Sequence, residues 1–453
     1  MNVAITGATG FIGRALVAAL VARGEHVVAL GRAPEAMHFA ERIERRRFDP
    51  NDALAQPEAF RDIDAVIHLA GEPVSGRWTA AKKRQILESR VLGTQNVVKS
   101  LAACETRPAV LLSASGVGYY GARGDVPLFE GDLPGTDFLA RVGVGWELAA
   151  RDAEALGIRA AWLRTGIVLG DGGALKAMSP PFTFGFGGPF GGGRQFVPWI
   201  HLDDLVALYL FVLDSELRGA INAVTPDYAT SARFAQALGA ALRRPSLVPA
   251  PAFALRAVLG EFAQTLLASQ VVIPARAEEA GFAWQHLLLE EAMASAEGGS
   301  ASGSHGISVF ESSQTVHASL NDVFAFFSDP QNLERLTPST LRFAFRLLPD
   351  TVERGSRISY RLQLHGVPIS WDALIARWDP PHSFVDFQLH GPYALWRHEH
   401  RFTEVPGGVR LDDRVQYALP FAPFGNLAAA FVRKDVERIF TYRREAIAAH
   451  FAA

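Results

Sequence analysis

The stretch that most restricts what this chain can fold into is its beginning, Asn2-Val-Ala-Ile-Thr-Gly7-Ala-Thr-Gly10-Phe-Ile-Gly13. An apolar run ends in glycines three apart. Ile12, Leu16 and Leu20 then recur at helical spacing, with Val17 and Val21 on the adjoining rows. Strand, glycine turn and helix in this order let a backbone approach a pyrophosphate, and the helix N-terminus offers that anion free N–H groups and a partial positive charge. The competing reading is a structural turn that only happens to be rich in glycine. Val27-Val-Ala-Leu30, which supplies the next strand, favours a dinucleotide-binding unit.

A chain of 453 residues exceeds what one ordinary core organises, so two or three domains are expected. The composition, 49% hydrophobic and 20% charged, is that of a globular protein. A net charge of −3 gives no reason to expect nucleic acid or an anionic membrane as partner, and a small-molecule substrate is expected instead. Cys104 is the single cysteine, which excludes an internal disulfide and suits a reducing compartment. The N-terminus enters a strand without a basic leader, and no apolar run approaches the ~20 residues that span a bilayer; a cytoplasmic protein is expected.

Arg32 sits just past the second strand, where an NAD site usually has an acidic residue for the ribose 2′-hydroxyl. A basic residue there pairs with a 2′-phosphate and favours NADP over NAD; the alternative is an ordinary solvated arginine. Arg45-Arg46-Arg47 reads as a solvated edge. Ile63 to Gly71 reads as a buried strand ending in small residues, Thr79 to Ala103 as a helix with Leu87, Val91, Val98 and Leu101 on one face, and Ala109 to Ser113 and Arg159 to Arg164 as further strands. This alternation predicts an α/β fold with a Rossmann-type, doubly wound parallel sheet whose ligand lies at the carboxyl ends of the strands. Gly170 to Arg194 reads as loop, with Gly185 to Arg194 either a mobile cover or a plain connection. Helical patterns dominate from Asp204 to Ala296, and Glu297 to Gly306 is a Gly/Ser linker.

Beyond the linker the apolar period changes to two. Ile358, Tyr360, Leu362 and Leu364 alternate with polar residues, as do Val385, Phe387 and Leu389, and Val409, Leu411, Val415 and Tyr417. A helical pattern covers Leu320 to Phe327, and a long one closes the chain with Leu427, Phe431, Val436, Phe440, Ile447 and Phe451 on one side. A curved antiparallel sheet around a terminal helix, an α+β helix-grip domain over 307–453, is expected. Trp396, His398, His400 and Phe402 share one strand face, and Asp413 is in phase with Leu411 and Val415. Turned inward they put a few polar groups into an apolar cavity; turned outward they meet water. His398 and His400 are half of a metal site, but no third ligand stands at a recognised spacing, so no metal is expected.

Residues about 1–296 resemble extended short-chain dehydrogenase/reductases, and more narrowly their atypical YfcH-like, epimerase-like branch. The matching words are Gly7-Ala-Thr-Gly-Phe-Ile-Gly13, His68-Leu-Ala-Gly-Glu-Pro73, Ser89-Arg-Val-Leu-Gly-Thr94, Ser113-Ala-Ser-Gly-Val-Gly-Tyr-Tyr-Gly121, Leu163-Arg-Thr-Gly-Ile-Val-Leu-Gly170 and Trp199-Ile-His201. Leu255 to Glu261 and Ser269 to Pro274 are like that branch's substrate-side extension. Residues about 307–453 are similar to the START-like helix-grip (SRPBCC) superfamily, known for apolar ligand cavities, through phrases such as Gly391-Pro-Tyr-Ala-Leu-Trp-Arg-His398.

The first resemblance implies a bound nicotinamide dinucleotide, NADP before NAD. It implies that Gly7, Thr9, Gly10, Phe11, Ile12 and Gly13 meet the pyrophosphate, Arg32 the 2′-phosphate, and Leu69 and Ala70 the sugar nearest the nicotinamide. The ordinary enzymes use a serine, a tyrosine and a lysine four residues after it, the lysine lowering the tyrosine's pKa. Ser115 fits the serine, but alignment through Trp146-Glu147 puts Leu139 at the tyrosine and Gly143 at the lysine. Neither moves a proton. Tyr119 and Tyr120 are the candidate replacements, as acid or as packing, while Arg77, Arg90, Trp199 and His201 are candidates to line the substrate cleft. Two functions remain open: an NADP-dependent oxidoreductase or epimerase on a small carbonyl- or hydroxyl-bearing substrate, resembling a nucleotide sugar, or a non-catalytic NADP(H)-binding sensor or carrier of an apolar ligand.

Overall fold

In the computed structural model, which describes residues 1–40, 42–298, 306–420 and 428–452, the chain divides into two compact units, Met1–Ser300 and Ala301–Ala453. Most of the expected Gly/Ser linker lies outside the described residues.

The first unit is built on seven parallel strands: β1 (Asn2–Thr6), β2 (His26–Gly31), β3 (Glu44–Arg47), β4 (Ala65–His68), β5 (Val110–Gly116), β7 (Arg159–Thr165) and β10 (Gly219–Ala223). Their spatial order is β10-β7-β5-β4-β1-β2-β3. The sheet is covered on both faces, which is why its central strands read as continuous apolar runs. Val3 and Ile5 of β1 pack with Leu16, Val17 and Leu20 of helix α1 (Phe11–Ala22) and with the helix Leu202–Asp214. Ala4, between them, packs on the opposite side with Val97, Val98 and Leu101 of α2 (Ala80–Ala102) and with Ala150 of α3 (Phe138–Arg151). Short parallel pairs complete the unit: β6 (Pro127–Leu128) with β11 (Val271–Val272), and β8 (Ile167–Leu169) with β9 (Trp199–His201).

Several local expectations are corrected by packing. Strand β10 lies inside a region read as helical; its five residues are too few for a period to show. The Gly170–Arg194 loop contains a helix, Gly173–Thr183. The glycine run after it is pinned rather than loose. A Cβ on Gly188 would fall 2.1 Å from Val248 O, and Gly191 N–H donates to Ala250 O at 2.8 Å. On α2 Val98 and Leu101 are buried as expected, but Ile86 is buried in place of Leu87, which is exposed. Arg45–Arg47 are in the edge strand β3, where charge discourages further strand pairing.

The second unit is one antiparallel sheet. Its strands are β12 (Ser308–Val316), β13 (Ala344–Leu347), β14 (Arg357–Leu364), β15 (Val367–Asp379), β16 (Ser383–His390), β17 (Leu395–Val405) and β18 (Gly408–Ala418), in the order β12-β18-β17-β16-β15-β14-β13. The closing helix Ala429–Phe451 lays Val436, Phe440 and Ile447 against it, while Phe431 is exposed and Leu427 lies outside the described residues. The helix Leu320–Ser328 is started by Ser319, whose Oγ accepts from Asp322 N–H. This is the helix-grip arrangement.

Candidate functional site

In the first unit the strand order reverses at β1, with β2 on one side and β4 on the other. The crevice beyond their carboxyl ends is therefore where a ligand binds in such a sheet. Gly7 leaves β1 at φ +68, and a Cβ there would lie 2.9 Å from Ala70 N. Gly10 N–H closes the turn on Gly7 O at 3.0 Å. A Cβ on Gly13 would fall 2.2 Å from that same oxygen. Helix α1 starts at Phe11 with no side chain capping its first turn, so those N–H groups face the crevice uncommitted. Thr9 and Gly10 are exposed, and Phe11 and Ile12 half-buried. The Phe11 ring lies where Cβ atoms on Gly170, Gly172 and Gly173 would stand, 2.7 to 2.9 Å away. The turn is a cradle that side chains would fill, and it fits a pyrophosphate. Arg32 is exposed at the end of β2.

The floor is set by a buried chain of hydrogen bonds. Thr6 Oγ1 is 2.7 Å from His68 Nδ1, and His68 Nε2 is 3.1 Å from Thr94 Oγ1. Leu69 and Ala70 N–H both point at Thr6 Oγ1, at 3.2 and 3.3 Å, which fixes the chain just past the end of β4. Burial, with Arg90 adding to it, lowers the His68 pKa to about 4, so the imidazole stays neutral. Arg90 donates to Glu72 O at 2.8 Å and stacks on Trp146, its own pKa lowered to about 10 by burial.

Ser115, Tyr119 and Tyr120 converge with two residues that inspection of the sequence overlooked, Glu147 and Arg164. Ser115 Oγ donates to Glu147 Oε1 at 2.7 Å, and Arg164 holds both oxygens of that carboxylate at 2.8 and 2.7 Å. Arg164 Nη1 also donates to the Tyr120 hydroxyl at 2.9 Å, and its guanidinium lies 3.5 Å from the Tyr119 ring centroid. The available signal was an arginine inside the apolar strand Arg159–Thr165, because a buried guanidinium requires a partner. Tyr120 is fully buried, with its hydroxyl 2.6 Å from Asn222 Oδ1 and its pKa raised, so it serves as a strut. Tyr119 is half-buried. Burial raises its pKa, with Arg164 pulling against it, so it stays a neutral phenol. A Cβ on Gly143 would lie 3.3 Å from Tyr119 Cα and Cβ, and Leu139 packs on Gly118. Tyr119 thus stands against Gly143.

The proposed cleft residues separate. Trp199 is fully buried, its indole N–H donating to Asp227 O at 3.1 Å, so it is core and lines no cleft. His201 is also buried. Its Nδ1 accepts from Asp203 N–H at the start of the helix Leu202–Asp214, and burial lowers its pKa to about 4. It is a helix cap. Arg77 is exposed and reaches toward the extension, 3.5 Å from Ala257 O. Arg90 remains at the crevice, its guanidinium 3.3 Å from where a Gly71 Cβ would be.

In the second unit a cavity of about 190 Å³ lies between the sheet and the closing helix. His398 and His400 face it, so the inward alternative holds. Asp386, on the neighbouring strand and paired with His398 in register, faces it too.

These features define a Rossmann-type dinucleotide-binding protein joined to a helix-grip unit with an internal cavity. Residues 3–223 match the NAD dependent epimerase/dehydratase family, residues 250–296 a domain of unknown function (DUF1731), and residues 309–452 the polyketide cyclase / dehydrase and lipid transport family. The chain is 40% identical over 302 residues to the chloroplastic epimerase family protein SDR39U1 homolog of Arabidopsis thaliana, covering 65% of this chain and 86% of that one. The chain belongs to the SDR39U1-type epimerase family. A crystal structure of human SDR39U1 (isoform2) with NADPH is similar at 34% identity and a TM-score of 0.59, over 66% of this chain and 99% of that one. A structure of the nucleoside-diphosphate sugar epimerase from Corynebacterium glutamicum is similar at 33% identity and a TM-score of 0.54, over 66% and 58%. Among the described residues no helix is long and apolar enough to cross a membrane.

Proposed function

We propose that residues 1–296 bind NADP(H) and reduce a small carbonyl compound, and that residues 307–453 hold an apolar ligand. The human relative crystallised with NADPH and the uncapped glycine turn support the cofactor. Leu69 and Ala70 would lie beneath the nicotinamide-side sugar, and Arg32 would meet the 2′-phosphate.

The observation that carries the direction of reaction is Tyr119. Its raised pKa keeps it protonated at neutral pH, so it has a proton to give and is not available as a base. The hydride would pass from NADPH to the carbonyl carbon, and the Tyr119 proton to the oxygen as it becomes a hydroxyl; solvent then reprotonates the phenol. This outcome argues for reduction above epimerisation, which begins by removing a proton. A sensor remains the second reading, favoured by Ser115, whose own proton is committed to Glu147.

The test is loss of NADPH absorbance across a panel of aldehydes, ketones and keto-sugars. Turnover is expected, with Tyr119→Phe lowering kcat about 100-fold while calorimetric NADPH affinity holds. Tight NADPH binding without turnover across the panel would establish the sensor instead.

A further inference from the structure

We propose that the helix-grip unit carries a site for a first-row divalent metal ion, formed by Asp386, His398 and His400 and opening onto the cavity. His398 and His400 are two apart on β17 and so project from the same face, and Asp386 stands opposite His398 on β16. Asp386 Oδ2 lies 3.5 Å from His398 Nδ1 and 3.3 Å from His400 Nε2. Donors held about 2.05 Å from one tetrahedral ion stand about 3.3 Å apart, so the spacing is that of a ligand set.

The proton on His398 argues the same way. Behind the two rings, away from the cavity, Asp413 Oδ1 is 3.0 Å from His398 Nε2 and 2.9 Å from His400 Nδ1. The second contact is a close approach without a hydrogen bond's geometry. Asp413 therefore takes an N–H from His398. His398 Nδ1 then turns a lone pair toward Asp386, and His400 Nε2 reaches the same carboxylate oxygen at 3.3 Å, a hydrogen bond that a bound metal ion would replace. The three ligand atoms converge on one point, all within 4.8 Å of one another. A carboxylate behind a histidine ligand, fixing its tautomer, is how metal sites are oriented.

All three ligands line the cavity, whereas Asp413 does not. The remaining coordination positions accordingly face a chamber walled by Tyr360, Trp371, Trp396 and Phe440. Two histidines and one carboxylate with open positions suit iron(II) or zinc. The ligand class that fits is an aromatic or otherwise apolar molecule bearing one oxygen or nitrogen donor for the ion. A second histidine–carboxylate group, His201, Asp203 and His286, lacks this arrangement, because His201 Nδ1 already accepts a backbone N–H and Asp203 is exposed.

The experiment is calorimetric titration of the EDTA-treated full chain with Zn²⁺, together with the visible spectrum of the Co²⁺-loaded chain. About one ion per chain and a ligand-field band of imidazole-bound cobalt are expected. Asp386→Asn should weaken Zn²⁺ binding at least 100-fold, Asp413→Asn 10- to 100-fold, and His286→Ala should leave it unchanged. No Zn²⁺ binding by the unsubstituted chain, or no imidazole band with cobalt, overturns the site even if the variants fail to fold. Unchanged binding in a folded Asp386→Asn chain, or loss in His286→Ala, also overturns it.

Discussion

Residue chemistry in this family member is decided by who holds each proton. Ser115 stands where a substrate-holding serine is expected, yet its hydrogen goes to Glu147, and that carboxylate is neutralised by two bonds from Arg164. Removing one partner of such a buried pair leaves an uncompensated charge, so the trio is rigid. Tyr119 and Tyr120 are adjacent in sequence but differ in role, because one hydroxyl is buried against Asn222 and the other residue is only half-buried. Arg32 offers the sharpest residue-scale prediction. Arg32→Ala should weaken NADPH binding about 10-fold or more, the loss of one charged hydrogen bond of about 1.5–3 kcal/mol, and leave NADH within twofold in the same fluorescence titration. Equal losses would remove the 2′-phosphate role.

At the scale of elements, the glycine turn between β1 and α1 does its work through backbone contact. Gly13 and Gly10 look alike in sequence, but an added Cβ meets Gly7 O at 2.2 Å from the first and at 3.2 Å from the second. Gly13→Ala must therefore push α1 off the turn, costing about 1–3 kcal/mol by overpacking and NADPH affinity with it. Gly10→Ala should cost less than half as much stability in urea unfolding. The reverse order would mean that the turn is not held by this contact. The sheet of the second unit shows the same dependence on neighbours. The apolar alternation of Val385, Phe387 and Leu389 marks one buried face of β16, while Phe384 and Asp386 on the other face line the cavity. A strand buried on both faces conceals which of its polar residues matters, and so Asp386 escaped notice beside His398 and His400.

On the whole-molecule scale, two units with separate cores should respond separately to ligands. NADPH binding only the first unit stabilises it by about 2.7 kcal/mol at 100 times Kd. Scanning calorimetry of the full chain should show one transition moving upward with NADPH and another staying in place. A single transition, or two that move together, would mean the units unfold as one.

The amino-acid order by itself determined the class of each unit: glycines at fixed spacing after an apolar strand, strand–helix alternation, then a change of period from helical to two. Those signals are local, since backbone conformation and alternate burial are imposed within a few residues. It also located the serine and both cavity histidines, because each sits in a recognisable local word. Only the tertiary structure decided that Trp199 is core, that His201 caps a helix, that Gly219–Ala223 is the seventh strand, and that Glu147, Arg164 and Asp386 complete the polar clusters. The polar clusters depend on what faces a side chain across 14 to 32 residues of chain, and hydrogen bonds and charges are settled by that partner in space.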